Sequence, residues 1–155
     1  PQFNASLDGE GNIIFKKYFH IGVAVDTPGG LLVPVIRECD KKTVYQIASE
    51  LKAISEKART KGLSTAEMAG GCMTISSLGH IGGTGFTPII NAPQTAILGI
   101  TKAEWKPVVK NGEVITEYRV PLSLSYDHRV INGADAAKFC VKLAQCLADP
   151  EALIG

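Results

Sequence analysis

The chain has 155 residues, of which 45% are hydrophobic and 20% charged, and its formal net charge is +1. This length and composition allow one compact domain with its own apolar core, without metals or disulfides. The balanced charge, the lack of a basic cluster interleaved with aromatic residues and apolar runs well short of ~20 residues argue against nucleic acid or a membrane as a partner.

The first half of the chain predicts two strands and a long amphipathic helix. Residues 18–25 and 31–36 are rich in strand-forming residues and flank the turn sequence T-P-G-G, which predicts a hairpin. Pro34 favours an edge position or a bulge for the second strand. From residue 43 to 61, apolar residues recur at three- and four-residue steps, which predicts a helix with one buried face. That face comprises Val44, Ile47, Ala48, Leu51, Ile54 and Ala58.

The second half of the chain predicts a sheet of further strands and a closing helix. The sequence S-T-A-E at 64–67 is a capping box for a short helix, and 79–93 is a long loop rich in glycine and proline. Asn111-Gly112 between two strand-like segments is a strong hairpin signal. The predicted strands are 72–77, 95–101, 106–110, 113–118 and 120–126, and the predicted helix is 134–147. The order predicts one α/β domain, a two-layer sandwich whose mixed sheet carries helices on one face.

The cysteines and the glycine-rich loop do not indicate a metal or nucleotide site. The cysteines lack C-x-x-C spacing and have no histidine at metal-ligand spacing, so we expect no metal and free, mostly buried thiols in a reducing compartment. They are Cys39, Cys72, Cys140 and Cys146. The glycines at 79–85 are not followed by Lys-Ser or Lys-Thr, so they do not form a P-loop motif.

A polar cluster at the junction of the last predicted strand and helix is the first candidate functional site. It reads D-H-R-V-I-N-G over residues 127–133. Functional residues often lie on such loops because rigid elements hold them on both sides. The His128 imidazole can exchange a proton near neutral pH, although a single histidine is more often a structural residue. The residue pattern alone leaves both roles open.

This cluster resembles the H-x-x-x-D-G signature of coenzyme A-dependent acyltransferases, and the chain is most similar to the acyltransferase (E2) cores of 2-oxo acid dehydrogenase complexes. Four other segments resemble that family in the same order. They are F-N-A-S-L-D (3–8), G-V-A-V-D-T-P-G-G-L-L-V-P-V-I (22–36), T-I-S-S-L-G (74–79) and P-I-I-N-A-P-Q-T-A-I-L-G-I (88–100). The resemblance implies a chloramphenicol acetyltransferase-like fold. It also implies that residues 1–155 are acyltransferase catalytic domain, and that its N-terminal part, the lipoyl domain and the subunit-binding domain lie outside the chain.

The resemblance implies catalytic roles for three side chains. His128 is expected to be the general base, because a thiol with a pKa near ~8.5 is mostly protonated at neutral pH. Ser76 corresponds to the hydroxyl that stabilises the tetrahedral oxyanion, with Ser77 as the alternative. Asn132 stands where the family more often has aspartate, so we expect it to maintain loop geometry without carrying charge.

The resemblance also implies the substrates. Coenzyme A is expected as one substrate, and a lipoyl group carried on a domain outside this chain as the other, with no metal. Two segments are predicted to contact coenzyme A, through Gly30, Leu31, Leu32, Gly82, Gly83 and Thr87. Serine at position 76 and A-D-A-A at 134–137 favour acetyl over succinyl transfer, and therefore a pyruvate dehydrogenase complex.

The expected assembly is a homotrimer that builds a larger core and binds the E1 and E3 components of the 2-oxo acid dehydrogenase complex. Its active site is expected between subunits, with the histidine from one and the serine from the next. The expected location is the bacterial cytoplasm, or the mitochondrial matrix if the source is eukaryotic. His80 is a candidate for the channel wall, whereas Asp127, Arg129 and His20 are expected to be structural.

Three alternative functions stay open at this point. The first is service in another 2-oxo acid dehydrogenase complex, one that transfers succinyl or branched-chain acyl groups. The second is another enzyme of the superfamily, such as an antibiotic acetyltransferase or a peptide condensation domain. The third is a non-catalytic core subunit, although such subunits lack the catalytic histidine that stands here as His128.

Overall fold

The computed structural model describes residues 1–149 and 151. Within them, five strands form one mixed sheet in the order β11-β8-β7-β3-β6, and three further pairs, β1–β2, β4–β5 and β9–β10, form separate hairpins. The strands are β1 Ala5–Leu7, β2 Ile13–Phe15, β3 Ile21–Val23, β4 Val25–Thr27, β5 Gly30–Leu32, β6 Val35–Ile36, β7 Met73–Ser77, β8 Ala96–Ile100, β9 Glu104–Lys110, β10 Glu113–Arg119 and β11 Leu122–Tyr126. The helices are α1 Val44–Thr60, α2 Thr65–Met68 and α3 Gly133–Ala148, and short 3₁₀ turns span Gln2–Asn4 and Cys39–Lys41.

The central sheet has two different faces. β7 runs parallel to both β3 and β8, whereas the β11–β8 and β3–β6 pairs are antiparallel. One face packs Met73 and Leu98 against Phe139 and Leu143 of α3, forming the main apolar core. Since successive side chains of a strand alternate between faces, Ser76 lies on the other face. The predicted α/β class, a mixed sheet with packed helices, is confirmed.

The first predicted hairpin is confirmed but divided. Residues 18–25 and 31–36 do not form two continuous strands. The first segment is interrupted at Ala24 and the second between Leu32 and Val35. Each segment therefore contributes to one strand of the main sheet, β3 or β6, and to one strand of the β4–β5 hairpin. Pro34 lies at the break and has no N–H to donate, while its carbonyl accepts the Val23 N–H at 2.9 Å. β6 follows as an edge strand of the central sheet, the edge position that Pro34 favours.

Helix α1 begins and packs largely as predicted. Thr43 and Gln46 form a reciprocal capping box at its first turn. Ser55 and Ala58 are buried, and the rest of the predicted face is half-buried, except at its start. Val44 is 57% exposed and Ala48 is exposed as well, so their predicted burial was wrong. α1 packs mainly against the short strands β4 and β6, which leave its first turns uncovered.

The N-terminal hairpin β1–β2 was not predicted. Its strands have three residues each, too few to show an alternating pattern. Its turn is organised by Asp8, whose carboxylate accepts the backbone N–H groups of Glu10 and Asn12 at 2.9 and 2.8 Å. The hydrogen bond that the Asn12 side-chain amide donates to this carboxylate, together with these backbone bonds, lowers the pKa of Asp8. The sequence D-G-E-G-N was the available signal, because aspartate readily caps such turns.

The four cysteines are free thiols, and their burial differs from the prediction. Only Cys72 is buried, whereas the other three are half-buried. Desolvation raises the pKa of the Cys39 and Cys140 thiols. No helix within residues 1–149 and 151 combines the length and the apolar character needed to cross a bilayer.

Candidate active site

His128 lies on an exposed turn that connects edge strand β11 to helix α3. The turn is fixed by its backbone: the Asp127 N–H donates to the Thr95 carbonyl at 2.8 Å, and the Asp127 carbonyl accepts the N–H groups of Val130 and Ile131. Ile131 is fully buried and anchors the turn in the main core. The imidazole is therefore presented to solvent from a rigid support.

Asp127 and Arg129 form an ion pair beside the histidine. The Arg129 guanidinium donates to the Asp127 carboxylate at 2.6 Å, and the Arg129 backbone N–H donates to it at 3.0 Å. The hydrogen bonds from the Arg129 side chain are the main reason that the pKa of Asp127 is lowered. The two charges satisfy one another, which agrees with the structural role expected for both residues. No carboxylate of the described residues forms an ion pair with His128.

Asn132 is the N-cap of helix α3. Its side-chain oxygen accepts the Asp135 N–H at 2.9 Å, and its amide donates to the Asp135 carboxylate at 2.9 Å. The Gln2 amide donates to the same carboxylate at 3.2 Å. This arrangement maintains the geometry of the turn four residues after His128, the role expected for Asn132; whether it also acts in catalysis stays a prediction.

Ser76 lines a cavity on the face of the sheet opposite the main core. The cavity has a volume of about 430 Å³ and is walled by β7, by β8 and by the loop 86–91. Adding a Cβ to Gly99, the neighbour of Ser76 on β8, would place it 2.8 Å from the Phe86 ring. Glycine there lets the loop approach the sheet and close the cavity. Ser76 is half-buried at its wall.

Ser77, the alternative to Ser76, points to the other side of β7 and is exposed. Its hydroxyl accepts the Gly79 N–H at 3.4 Å, a bond that stabilises the start of the loop. Both serines reach a second cavity of about 220 Å³, which His80, Asp26 and Arg59 also line. Because only Ser76 reaches the larger cavity as well, the geometry favours it over Ser77.

A pair of buried polar groups fixes the wall beside Ser76. The Thr74 hydroxyl donates to the Gln94 side-chain oxygen at 2.6 Å. A Cβ on Gly22 would lie 2.8 Å from the Thr74 hydroxyl, and a Cβ on Gly71 would lie 2.7 Å from the Gln94 amide nitrogen. This pair was not predicted, since nothing in the sequence spacing brings residues 74 and 94 together.

The residues predicted to contact coenzyme A are only partly brought together. Leu31 and Thr87 line the Ser76 cavity, and Leu31 and Leu32 line an adjoining cavity of about 460 Å³. Gly30, Gly82 and Gly83 line neither of these two cavities. All three have positive φ angles; Gly82 and Gly83 lie in the loop after β7, and Gly30 is the first residue of β5. Phe86, Asn91 and Val33 line the Ser76 cavity and were not predicted individually, although they lie in or beside the predicted segments.

Ser76 and His128 do not meet within one chain. Ser76 lies beside Gly99, whereas Tyr126, two residues before His128, lies beside Ala96 on the same strand. Two inter-strand steps, from β7 through β8 to β11, and several residues along the strands separate the two side chains. With ~4.8 Å between strands and ~3.3 Å per residue, that distance is on the order of 15–20 Å. A general base must lie within ~3 Å of the proton it removes, and a donor to the oxyanion within ~3 Å of that oxygen. Ser76 and His128 of one chain therefore do not reach the same reacting group.

The fold and the comparison with known families define the class of protein. The structure is similar to chloramphenicol acetyltransferase, with a TM-score of 0.54 at 13% identity, covering 88% of this chain and 65% of that one; this likeness establishes the fold. The family of 2-oxoacid dehydrogenases acyltransferase (catalytic domain) matches residues 1–155. The chain belongs to that family.

Relatives with high identity carry one name. The dihydrolipoyllysine-residue acetyltransferase components of the pyruvate dehydrogenase complex from Pseudomonas aeruginosa and Azotobacter vinelandii are each 57% identical over 99% of this chain. The chain spans 28% and 24% of their lengths.

Solved structures match equally well. Azotobacter vinelandii dihydrolipoamide acetyltransferase superposes with a TM-score of 0.96 at 56% identity, covering 100% of this chain and 64% of that one. It was solved to investigate a serine, a histidine and an asparagine in the catalytic mechanism. A second structure with the same scores is the cubic core of the pyruvate dehydrogenase multienzyme complex.

Proposed function

We propose that this chain carries the chemistry of a dihydrolipoyllysine-residue acetyltransferase, moving an acetyl group between the dihydrolipoyl thiol and coenzyme A. The family match over residues 1–155 and the names of the relatives support the reaction. One observation carries the assignment of residues. The serine, histidine and asparagine investigated in the Azotobacter vinelandii enzyme have the same separations along the chain as Ser76, His128 and Asn132.

The reaction begins with proton removal by His128. The neutral imidazole takes the proton of the attacking thiol, and the sulfur forms a bond to the carbonyl carbon of the acetyl thioester. The carbonyl π electrons move to oxygen, and the Ser76 hydroxyl donates a hydrogen bond to that oxyanion. When the oxyanion collapses, the original carbon–sulfur bond breaks, and the departing thiolate receives the proton from the imidazolium. The step consumes no oxidant or reductant.

The active site forms between two copies of the chain. Ser76 with its cavity contributes one half, and His128 of a neighbouring subunit contributes the other, because within one chain the two side chains lie too far apart to act on the same thiol and carbonyl group. A closed homotrimer supplies three such interfaces, and trimers assemble into a larger core that binds E1 and E3 components. The cubic core of the similar structure supports an assembly of this kind.

Acetyl is the favoured acyl group. Serine at position 76 and A-D-A-A at 134–137 favour it, and the relatives named above are acetyltransferases. The Ser76 cavity is walled mainly by apolar side chains such as Phe86, Ile90 and Ile97. A succinyl group would bring a carboxylate, whose burial without a partner is costly.

A subunit-mixing experiment tests the proposal. His128→Ala and Ser76→Ala variants of the full-length protein are each assayed with acetyl-CoA and dihydrolipoamide, and then co-expressed so that mixed trimers assemble. Each variant alone is expected to be nearly inactive. In random mixtures about a quarter of the interfaces pair an intact Ser76 with an intact His128 and regain activity. Full activity of either single variant refutes the assigned roles, and a lack of rescue in mixed trimers refutes the shared site.

A further inference from the structure

The His128 imidazole lies beside the ring of Tyr126. The Tyr126 ring lies with its centroid 5.6 Å from that of His128, at an interplanar angle of 39°. No hydrogen bond or ion pair holds the imidazole within the part of the chain that the structure describes. The ring contact with Tyr126 is therefore the specific interaction through which the described part of the subunit can orient this imidazole.

Tyr126 is itself fixed on three sides. It is the last residue of β11, opposite Ala96 in the sheet register. Its ring packs against the main core. Its hydroxyl oxygen lies 3.7 Å from the position that a Cβ on Gly133 would occupy, so it also reaches the first turn of α3. A tyrosine packed in this way is a stiff support for an exposed neighbour.

The charged groups around the turn are all engaged elsewhere. Asp127 and Arg129 pair with each other. Asp135, on the first turn of α3, is held by Asn132. Asp8 lines a cavity with Asp127 and Arg129, and its carboxylate accepts the backbone N–H groups of its own turn. None of these carboxylates forms an ion pair with His128 among the described residues.

We propose that Tyr126 is a positioning residue for the general-base step, and that its ring both restricts the orientation of the His128 imidazole and stabilises its protonated form. The inference rests on the proposed function. A cation within ~6 Å of an aromatic centroid is attracted by the negative face of the ring. His128 becomes a cation only after it takes the thiol proton, so the attraction strengthens as the tetrahedral intermediate forms.

The test compares Tyr126→Leu with Tyr126→Phe in the full-length assembled enzyme. The leucine variant is expected to lower kcat by about tenfold, since the imidazole is less well oriented. It should also move the acidic limb of the kcat–pH profile down by on the order of half a pH unit, because the imidazolium is less stable. The phenylalanine variant keeps the ring, so it is expected to retain kcat within about twofold and the position of the limb.

Leu124→Ala is the matched control for lost packing. Leu124 lies on the same face of β11 as Tyr126, two residues earlier, and packs against the same core. The control is expected to lower the melting temperature but to leave the acidic limb in place. If Tyr126→Leu folds and assembles but its kcat–pH profile keeps the acidic limb of the wild type, the inference is overturned. If Tyr126→Leu does not assemble, a limb shifted by Tyr126→Phe overturns it, because that variant keeps the ring.

Failure of the inference can be told apart from failure of the proposed function. If His128→Ala abolishes acetyl transfer while Tyr126→Leu leaves the acidic limb of the kcat–pH profile unchanged, the function stands and only the role of Tyr126 is wrong. If His128→Ala retains wild-type turnover, the histidine assignment fails, and the inference fails with it.

Discussion

Ser76 lies on β7, the central strand of the five-stranded sheet, whereas His128 lies on a turn beyond β11, the edge strand. The serine half-site, Ser76 with its cavity, is enclosed where the Phe86 ring approaches the sheet closely at Gly99. The histidine half-site, residues 127–133, is exposed and held by turn and cap hydrogen bonds. The first is formed within the fold of one subunit, while the second is exposed at its surface. Substitutions in the two half-sites should therefore differ in how they divide between activity and stability.

The largest expected effect on activity comes from His128→Ala. Loss of a general base typically costs 10²- to 10⁴-fold, so we expect kcat to fall by about 10³-fold. Because the side chain is exposed and forms no hydrogen bond or ion pair within the described part of the chain, the melting temperature should stay within about 2 °C of wild type. Assays of acetyl transfer and a thermal melt on the same preparation measure both. A residual kcat above a tenth of wild type would contradict the role of the histidine.

Ser76→Ala tests the other half-site and is expected to lower kcat by about 10²-fold, with smaller changes in KM, since it removes one donor to the oxyanion. Ser77→Ala is the matched control. The Ser77 hydroxyl accepts a long bond from Gly79 and points away from the larger cavity, so kcat should stay within about twofold. Equal losses in the two variants would mean that the strand register does not decide which serine is used.

The choice between these serines shows what the sequence can and cannot predict. The motif T-I-S-S-L-G places a serine near the oxyanion, but neighbouring residues of a strand face opposite ways, and only the register with β8 distinguishes them. The hairpin at Asn111-Gly112 was predictable because the two residues carry the positive φ angles, 54° and 85°, that its turn requires. Local backbone preference is therefore well encoded in sequence.

Features that depend on long-range contact were not predictable in the same way. The hydrogen bond between Thr74 and Gln94 joins residues twenty positions apart, and no local sequence pattern predicts it. The break of the first hairpin depends on how β3 and β6 join a sheet built from later residues. The separation of Ser76 from His128 follows from strand order, so the sequence predicted a shared site only through family resemblance.

A substitution in the serine half-site that adds volume should cost stability. Gly99→Ala places a Cβ 2.8 Å from the Phe86 ring at the buried wall of the Ser76 cavity, and overpacking of this kind typically costs about 1–3 kcal/mol. Gly9→Ala is the control, because nothing lies within 4 Å of its Cβ. Chemical denaturation measures both. If Gly99→Ala is as stable as Gly9→Ala, then the wall beside Ser76 is not rigid and the contrast between the half-sites weakens.

The smallest expected effect concerns Asn132 in the histidine half-site. Asn132→Ala removes the N-cap of α3 and should cost about 1 kcal/mol. Asn132→Asp keeps an acceptor for the Asp135 N–H, but it places a second carboxylate against that of Asp135, where the amide now donates at 2.9 Å. Two like charges at this distance raise the pKa of one of them.

The repulsion gives Asn132→Asp a distinctive pH dependence. The folded-state pKa of one carboxyl is raised above its unfolded value, so the variant is destabilised at pH values above that pKa. The lost stability is recovered as the pH falls and the pair of carboxylates takes up a proton. Adding Asp135→Asn should remove the repulsion and restore stability at neutral pH, whereas it should not rescue Asn132→Ala. Thermal melts of these variants between pH 4 and pH 8 measure the coupling. If the double variant is no more stable than Asn132→Asp, Asp135 is not the reason that an uncharged residue suits position 132.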